Sequence, residues 1–286
     1  MGFREGMTGM LKMRYQVCEL FGIPIYIDIS LAFLLLFFVT GAGSLFIGLA
    51  GALMLAFSIT LHELGHALTA RAFGYGTRDI TLSLLGGCAS LIALPRKAWQ
   101  EFWTAIAGPL VSFALALAGA GIIAAAAVEG GLGDAVALVF GDVLRSFGVG
   151  VTWGGGVMFR REDAWLVEAA FYLATMNAML GIFNLLPGFP MDGGRVFRSA
   201  MRSVMSKAQA TRIAMIVGRV VAAGLGLVGL YRLANGRSWG VVTMLIAWMI
   251  WKEGWREYRL ALAEEDFRSW TQDDFNARVS PPPYGR

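Results

Sequence analysis

The sequence predicts an all-α polytopic membrane protein with about six transmembrane helices and a small membrane-associated β-sheet. Three observations carry that expectation. Hydrophobic residues fill 57% of the 286 positions and charged residues only 15%, where a soluble domain of this size is about a quarter charged. The apolar residues gather in six runs, at 29–45, 47–72, 102–127, 166–187, 212–232 and 239–256, each close to the roughly 17–25 residues that cross a bilayer. The basic residues alternate in density between those runs. With the N-terminus in the cytoplasm, the cytoplasmic segments hold 18 Lys and Arg and the opposite loops hold five. That split places both termini inside by the positive-inside rule.

Taken in order, residues 1–28 form an N-terminal segment. Ile23, Ile25, Ile27 and Ile29 alternate with Pro24, Tyr26, Asp28 and Ser30, a period of two that predicts a short strand before the membrane. Residues 29–256 form the membrane domain. The first apolar run continues too far for a signal-peptide core and reads as a retained span. Trp99, Trp103, Trp165, Trp239, Trp251 and Trp255 cluster at predicted span ends, as interfacial aromatics do. Residues 128–165 read as a loop too short for an inserted domain, and Gly154-Gly155-Gly156 within it as a turn. Residues 257–286 form a polar cytoplasmic tail. The net charge of +4 flanks the spans instead of forming one patch, which argues for membrane orientation and against nucleic-acid binding. Cys18 and Cys88 are 70 residues apart and offer neither a disulfide framework nor a thiolate metal site.

The chain contains two histidines, both in His62-Glu63-Leu64-Gly65-His66. Four residues apart on a helix, they share a face and can grip one metal ion. Glu63 beside them completes H-E-x-x-H, the pattern in which two histidines bind Zn²⁺ and the glutamate acts as general base. Ionisable groups inside a span are costly and signal a site. A catalytic zinc needs a third protein ligand and one open position. With no third histidine, that ligand should be a carboxylate. Asp192 is the candidate, in Pro187-Gly188-Phe189-Pro190-Met191-Asp192-Gly193-Gly194, where prolines and glycines break a helix. Its spacing fits a turn aspartate equally well.

Both motifs together resemble the site-2 proteases, zinc metalloproteases that cut substrates within the membrane. Their signatures, H-E-x-x-H and N-x-x-P-x-x-P-x-D-G, match His62–His66 and Asn184–Gly193. The similarity runs from about Gly22 to the last span and is greatest to the compact branch containing the stage IV sporulation protease. Members of that branch often carry a C-terminal regulatory domain, for which this tail is too short. The resemblance implies Asp192 as third zinc ligand and Asn184 as a polar group beside the reacting carbonyl. It also implies a membrane-embedded sheet. Residues 80–91, with the alternation Ile80-Thr81-Leu82-Ser83-Leu84 and the breaker Gly86-Gly87, read either as a substrate clamp or as a connecting hairpin. In the clamp reading Leu82, Leu84, Gly86 and Gly87 meet the substrate.

The function expected is a zinc-dependent intramembrane endopeptidase in the cell membrane, its active site towards the cytoplasm and its substrate a membrane-spanning protein. The alternative is a metal or proton-coupled transporter using the same residues as an ion site, although one broken helix and no repeat fit it poorly. The sequence leaves open a regulatory membrane partner and the oligomeric state.

Overall fold

A computed structural model describes residues 14–31, 36, 44–83, 86–93, 95, 97–146, 158–159, 161–236 and 239–279. The chain divides into two compact units, Met1–Asn184 and Leu185–Arg286.

The first unit begins with a hairpin of β1 (Arg14–Leu20) and β2 (Ile23–Asp28). Phe21 and Gly22, at φ 52° and 73°, make the turn between them. Two successive positive φ values suit the twist of a two-residue hairpin. The alternation expected around Ile23 is present, with Ile23 and Ile25 buried. The chain then enters α1 (Leu45–Ala72) and returns as β3 (Thr77–Ser83), parallel to β2, and β4 (Gly86–Leu91), antiparallel to β3. The strand order is β1-β2-β3-β4, which leaves β4 on an edge among the described residues. Ile23, Ile25, Ile80 and Leu82 from the sheet pack with Ile59, Leu64 and Ala67 of α1. That cluster fixes the sheet against the stretch of α1 that carries both histidines.

At the base of the sheet, Asp79 is held by Arg78 at 3.0 Å and Arg14 at 3.5 Å. Burial alone would raise the Asp79 pKa, yet the Ser90 side chain and the two guanidiniums outweigh it and keep the carboxyl below its ordinary value.

Three further helices complete this unit: α2 (Ala98–Ala126), α3 (Leu132–Ser146) and α4 (Ala164–Asn184). Their core is built from small residues, with Ala116 and Ala120 of α2 against Ala170 and Ala174 of α4. A Cβ on Gly119 would lie 2.7 Å from the Ala170 carbonyl oxygen, so the two backbones come as close as glycine permits. The stretch expected to be loop between α2 and α4 contains α3, and β5 (Ala127–Glu129) pairs with β6 (Met158–Phe159). The helix forms because Ala135, Val139 and Val143 fall on one face and are buried against α2 and α4. Gly154-Gly155-Gly156 lies outside the described residues.

The second unit holds α5 (Asp192–Met201), α6 (Lys207–Ala234) and α7 (Trp239–Val279). α6 starts with a capping box, Ser206 and Gln209 each bonding the other's backbone N–H. α7 is one unbroken helix of 41 residues, passing straight through residues 256–257. Lys207 pairs with Glu264, and the Ala208 N–H donates to Glu265 at 2.8 Å. Carboxylates of α7 thus cover the positive end of α6.

Among the described residues, four helices are long and apolar enough to cross a membrane: α1, α2, α4 and α6. The expected span at 29–45 lies largely outside the described residues. α7 does not join the four, because tryptophans and the charges of Lys252, Glu253 and Arg256 shorten its apolar stretch.

Candidate active site

His62 and His66 sit one turn apart in α1, 2% and 5% exposed. Their Nε2 atoms face each other at 3.2 Å. Each ring is oriented from behind by α2. The His62 Nδ1 lies 2.9 Å from the Ser112 hydroxyl, and the His66 Nδ1 lies 2.6 Å from the Thr104 carbonyl oxygen. A carbonyl only accepts, so the His66 Nδ1 carries the proton and its Nε2 presents a lone pair. The Ser112 hydroxyl can likewise accept from the His62 Nδ1–H, the tautomer in which the His62 Nε2 is free to bind a metal. Two ring nitrogens facing one another at this distance can share a proton or hold a cation between them. Two nitrogens bonded to one tetrahedral zinc at ~2.0–2.1 Å lie about 3.3 Å apart, so the spacing fits.

The space beside them is kept open by Gly108. A Cβ there would fall 2.2 Å from the His66 Nε2 and 2.6 Å from the His62 Nε2, close to the position a shared metal ion needs. Between the two histidines on α1, a Cβ on Gly65 would meet the Ala107 carbonyl oxygen at 2.9 Å. Glycines on both helices therefore let α1 and α2 approach closely enough to form this cradle.

Glu63 is 8% exposed, and its carboxylate can share a metal site with both histidines. Its Oε2 accepts a hydrogen bond of 2.9 Å from the Ala89 N–H of β4. Gly87 lies against it so tightly that a Cβ would reach the Glu63 Cγ at 2.4 Å. The edge strand is thus part of the site's wall.

The other expected residues distribute as follows. Asn184 ends α4, and its Nδ2 donates to the Leu180 carbonyl at 3.0 Å. Asp192 is the first residue of α5, 8% exposed, in the second unit. The loop before it is compact, since a Cβ on Gly193 would meet the Leu185 and Leu186 carbonyl oxygens at 2.3 Å. Leu82 is buried in the core between sheet and α1, Gly86 adopts φ 112° with open space around it, and Leu84 lies outside the described residues. Sequence reasoning did not place Ser112, the Thr104 carbonyl, the Ala89 amide or Gly108 in the site. The spacing Gly108-x-x-x-Ser112 placed both on one face of α2 and was the available signal.

Residues 50–228 match the model of peptidase family M50. The chain is 34% identical over 231 residues to a candidate zinc metalloprotease, Rip3, of Mycobacterium tuberculosis, covering 80% of this chain and 49% of that one. It is 32% identical over 286 residues to a candidate zinc metalloprotease of Synechocystis, covering 93% and 65%. The chain therefore spans about half to two-thirds of the length of these relatives. In structure it resembles the site-2 protease from Methanocaldococcus jannaschii, with a TM-score of 0.53, 25% identity, and coverage of 86% of this chain and 95% of that one. The transporter reading finds no support among these similarities. A family match over more than half of the chain, on a site-2 protease fold with a His-Glu-His group able to hold a metal, means that this chain belongs to peptidase family M50.

Proposed function

We propose that the chain is a zinc-dependent endopeptidase that hydrolyses a peptide bond in or near a transmembrane segment of another protein. The observation that carries this reading is the pair of buried Nε2 atoms at 3.2 Å with Glu63 beside them. His62 and His66 would hold the metal, with Asp192 as third ligand. When bound, zinc supplies a Lewis acid that lowers the pKa of water towards ~7 and polarises a carbonyl.

The rest of the chemistry belongs to side chains. Glu63 takes the proton from the attacking water and returns it to the leaving amine. The Ala89 amide holds the carboxylate in place. Asn184 spends one of its two amide hydrogens on the Leu180 carbonyl, and the second is available to a developing oxyanion. Burial of His62, Glu63 and His66 keeps bulk water from the reacting groups.

A helical substrate must unwind before attack. β4 offers an edge for strand addition, with open space around Gly86 at its start. The family resemblance supports six spans, of which α7 and the 29–45 run are two. Loop charges support termini and active site on the cytoplasmic side of the cell membrane. Residues 1–28, 29–256 and 257–286 are then an N-terminal segment with a short strand, the six-helix protease domain and a polar cytoplasmic tail. The apolar spans make lipid bilayer the surroundings, and a regulatory membrane partner would act by gating substrate entry.

The test compares purified wild type with Glu63→Gln for zinc content and for cleavage of a panel of single-span substrates. Zinc in both and cleavage only by wild type is expected. Equal cleavage by the Gln variant would remove Glu63 as general base.

A further inference from the structure

The hairpin of α6 and α7 carries a second polar feature far in sequence from the His-Glu-His group. Arg219 lies in the apolar stretch of α6. Its guanidinium stacks 4.8 Å from the Trp251 ring and 5.3 Å from the Trp255 ring. The Lys252 ammonium lies 4.9 Å from the Trp248 ring. These five residues line one open groove of about 460 Å³. Trp248, Trp251, Lys252 and Trp255 are spaced i, i+3, i+4 and i+7, which puts them on one face of α7. The three tryptophans are 60%, 48% and 44% exposed.

The groove holds two positive charges and no carboxylate. The nearest acids of α7 are engaged elsewhere: Glu253 with Arg256 at 2.8 Å, and Glu257 with Arg198 at 3.0 Å. The Arg219 Nε is buried and has no hydrogen-bond partner among the described residues. Aromatic faces offset such charges only in part, and an arginine inside an apolar helix is costly without a counter-charge. An anion in the groove would close that gap.

Location decides which anion. On one side of the groove the hairpin is charged, with Lys207, Arg212, Arg256 and Arg259. On the other it is apolar, from Val220 to Leu230 and from Val241 to Ala247. The groove marks the boundary between the two, where headgroups meet acyl chains and where tryptophans concentrate. Arg219 lies about 10 Å along the helix axis from Arg212, close enough for its long side chain to reach up to that boundary.

We propose that this groove binds the phosphate of an anionic phospholipid headgroup. Arg219 and Lys252 would contact the phosphate oxygens, and the indoles would flank the glycerol and upper acyl chains. The inference rests on membrane placement and is independent of the peptidase reading.

The test is lipid binding by the full chain in neutral detergent, read by native mass spectrometry and by quenching of tryptophan fluorescence with brominated phosphatidylglycerol. Wild type should prefer phosphatidylglycerol over phosphatidylcholine. Arg219→Gln with Lys252→Gln should weaken phosphatidylglycerol binding by about tenfold or more and leave phosphatidylcholine and zinc content unchanged. Lys252→Gln alone, at an exposed position, gives the same direction without risk to folding, and Arg219→Lys should retain binding. Wild-type affinity in both Gln variants would overturn the proposal. Displacement of the lipid by millimolar inorganic phosphate would also overturn it, because the site would then be one for soluble phosphate.

Discussion

Replacing Gly108 by alanine tests the metal cradle with a single methyl group. The added carbon would stand 2.2 Å from the His66 Nε2, 2.6 Å from the His66 Cε1 and 2.6 Å from the His62 Nε2. Carbon and nitrogen in ordinary contact stay about 3.5 Å apart, so the rings must retreat by roughly 1 Å or the helices must separate. Neither is cheap. The rings are anchored through Nδ1 to Ser112 and Thr104, and α1 is pressed on α2 at Gly65 and Ala107. A zinc site tolerates errors of about 0.2 Å in its ligand distances, so a retreat of that size should abolish tight binding. Off-rotamer rings cost only ~0.5–1.5 kcal/mol each, so the fold itself should survive. Zinc stoichiometry by mass spectrometry and affinity by competition with a chromophoric chelator read the effect directly. Loss of at least about 100-fold in zinc affinity, with helical content unchanged, is expected. An alanine variant that kept one tightly held zinc would refute the claim that the space at Gly108 is the metal's.

Other perturbations separate the parts of the site. Ser112→Ala leaves the His62 Nδ1 without its oxygen partner and should weaken zinc binding by about 10–100-fold, with Ser112→Thr restoring most of it in the same competition assay. Gly87→Ala drives a methyl into the Glu63 Cγ, and should cut cleavage by about 100-fold while zinc content stays near wild type. Asp79→Asn tests the sheet's anchor through pH. The folded carboxyl lies below its ordinary value of 3.8, so it stabilises above that value and the contribution disappears as pH falls through the lower folded pKa. Thermal unfolding should show the variant less stable than wild type at pH 7 and the gap closing below about pH 4.

The parts of this protein visible in its sequence are those whose signal is local. Two histidines four apart with a glutamate between them need only one helix to converge, and α1 brings them together. The alternation at Ile23 and Ile25 likewise reports one buried face of one strand. Ser112 and the Thr104 carbonyl were illegible for the opposite reason. They reach the histidines across 50 and 38 residues, and the carbonyl belongs to the backbone, which carries no side-chain signature. Gly108 by itself gave no signal because its role is to have nothing where a side chain would be. The helix α3 was hidden by polar residues, Asp134, Asp142 and Arg145, which dilute its average hydropathy while its buried face keeps the helical period. The length of α7 escaped because an apolar run reports where lipid ends, and a helix continues wherever its polar residues find partners, as Glu264 does with Lys207.

The position of the Ala89 amide ties substrate binding to the general base. In an antiparallel ladder successive amides point to opposite sides. The Ala89 N–H donates to Glu63, so it faces away from β3, along the edge where an added strand would bind. A substrate strand docking there would offer a carbonyl to the same N–H that holds the Glu63 carboxylate. Breaking the amide–carboxylate hydrogen bond between Ala89 and Glu63 costs about 1.5–3 kcal/mol, which the new strand's hydrogen bonds offset, and the freed carboxylate would stand next to the peptide it must serve. Ala89→Pro isolates this step. Proline removes an N–H that the β3–β4 ladder does not use, and an edge strand tolerates it there. The variant should keep its zinc and its fold, yet lose about 10–100-fold in kcat/KM for a transmembrane substrate. Unchanged cleavage by that variant would mean that neither Glu63 nor the substrate depends on the edge of β4, and strand addition would have to be abandoned.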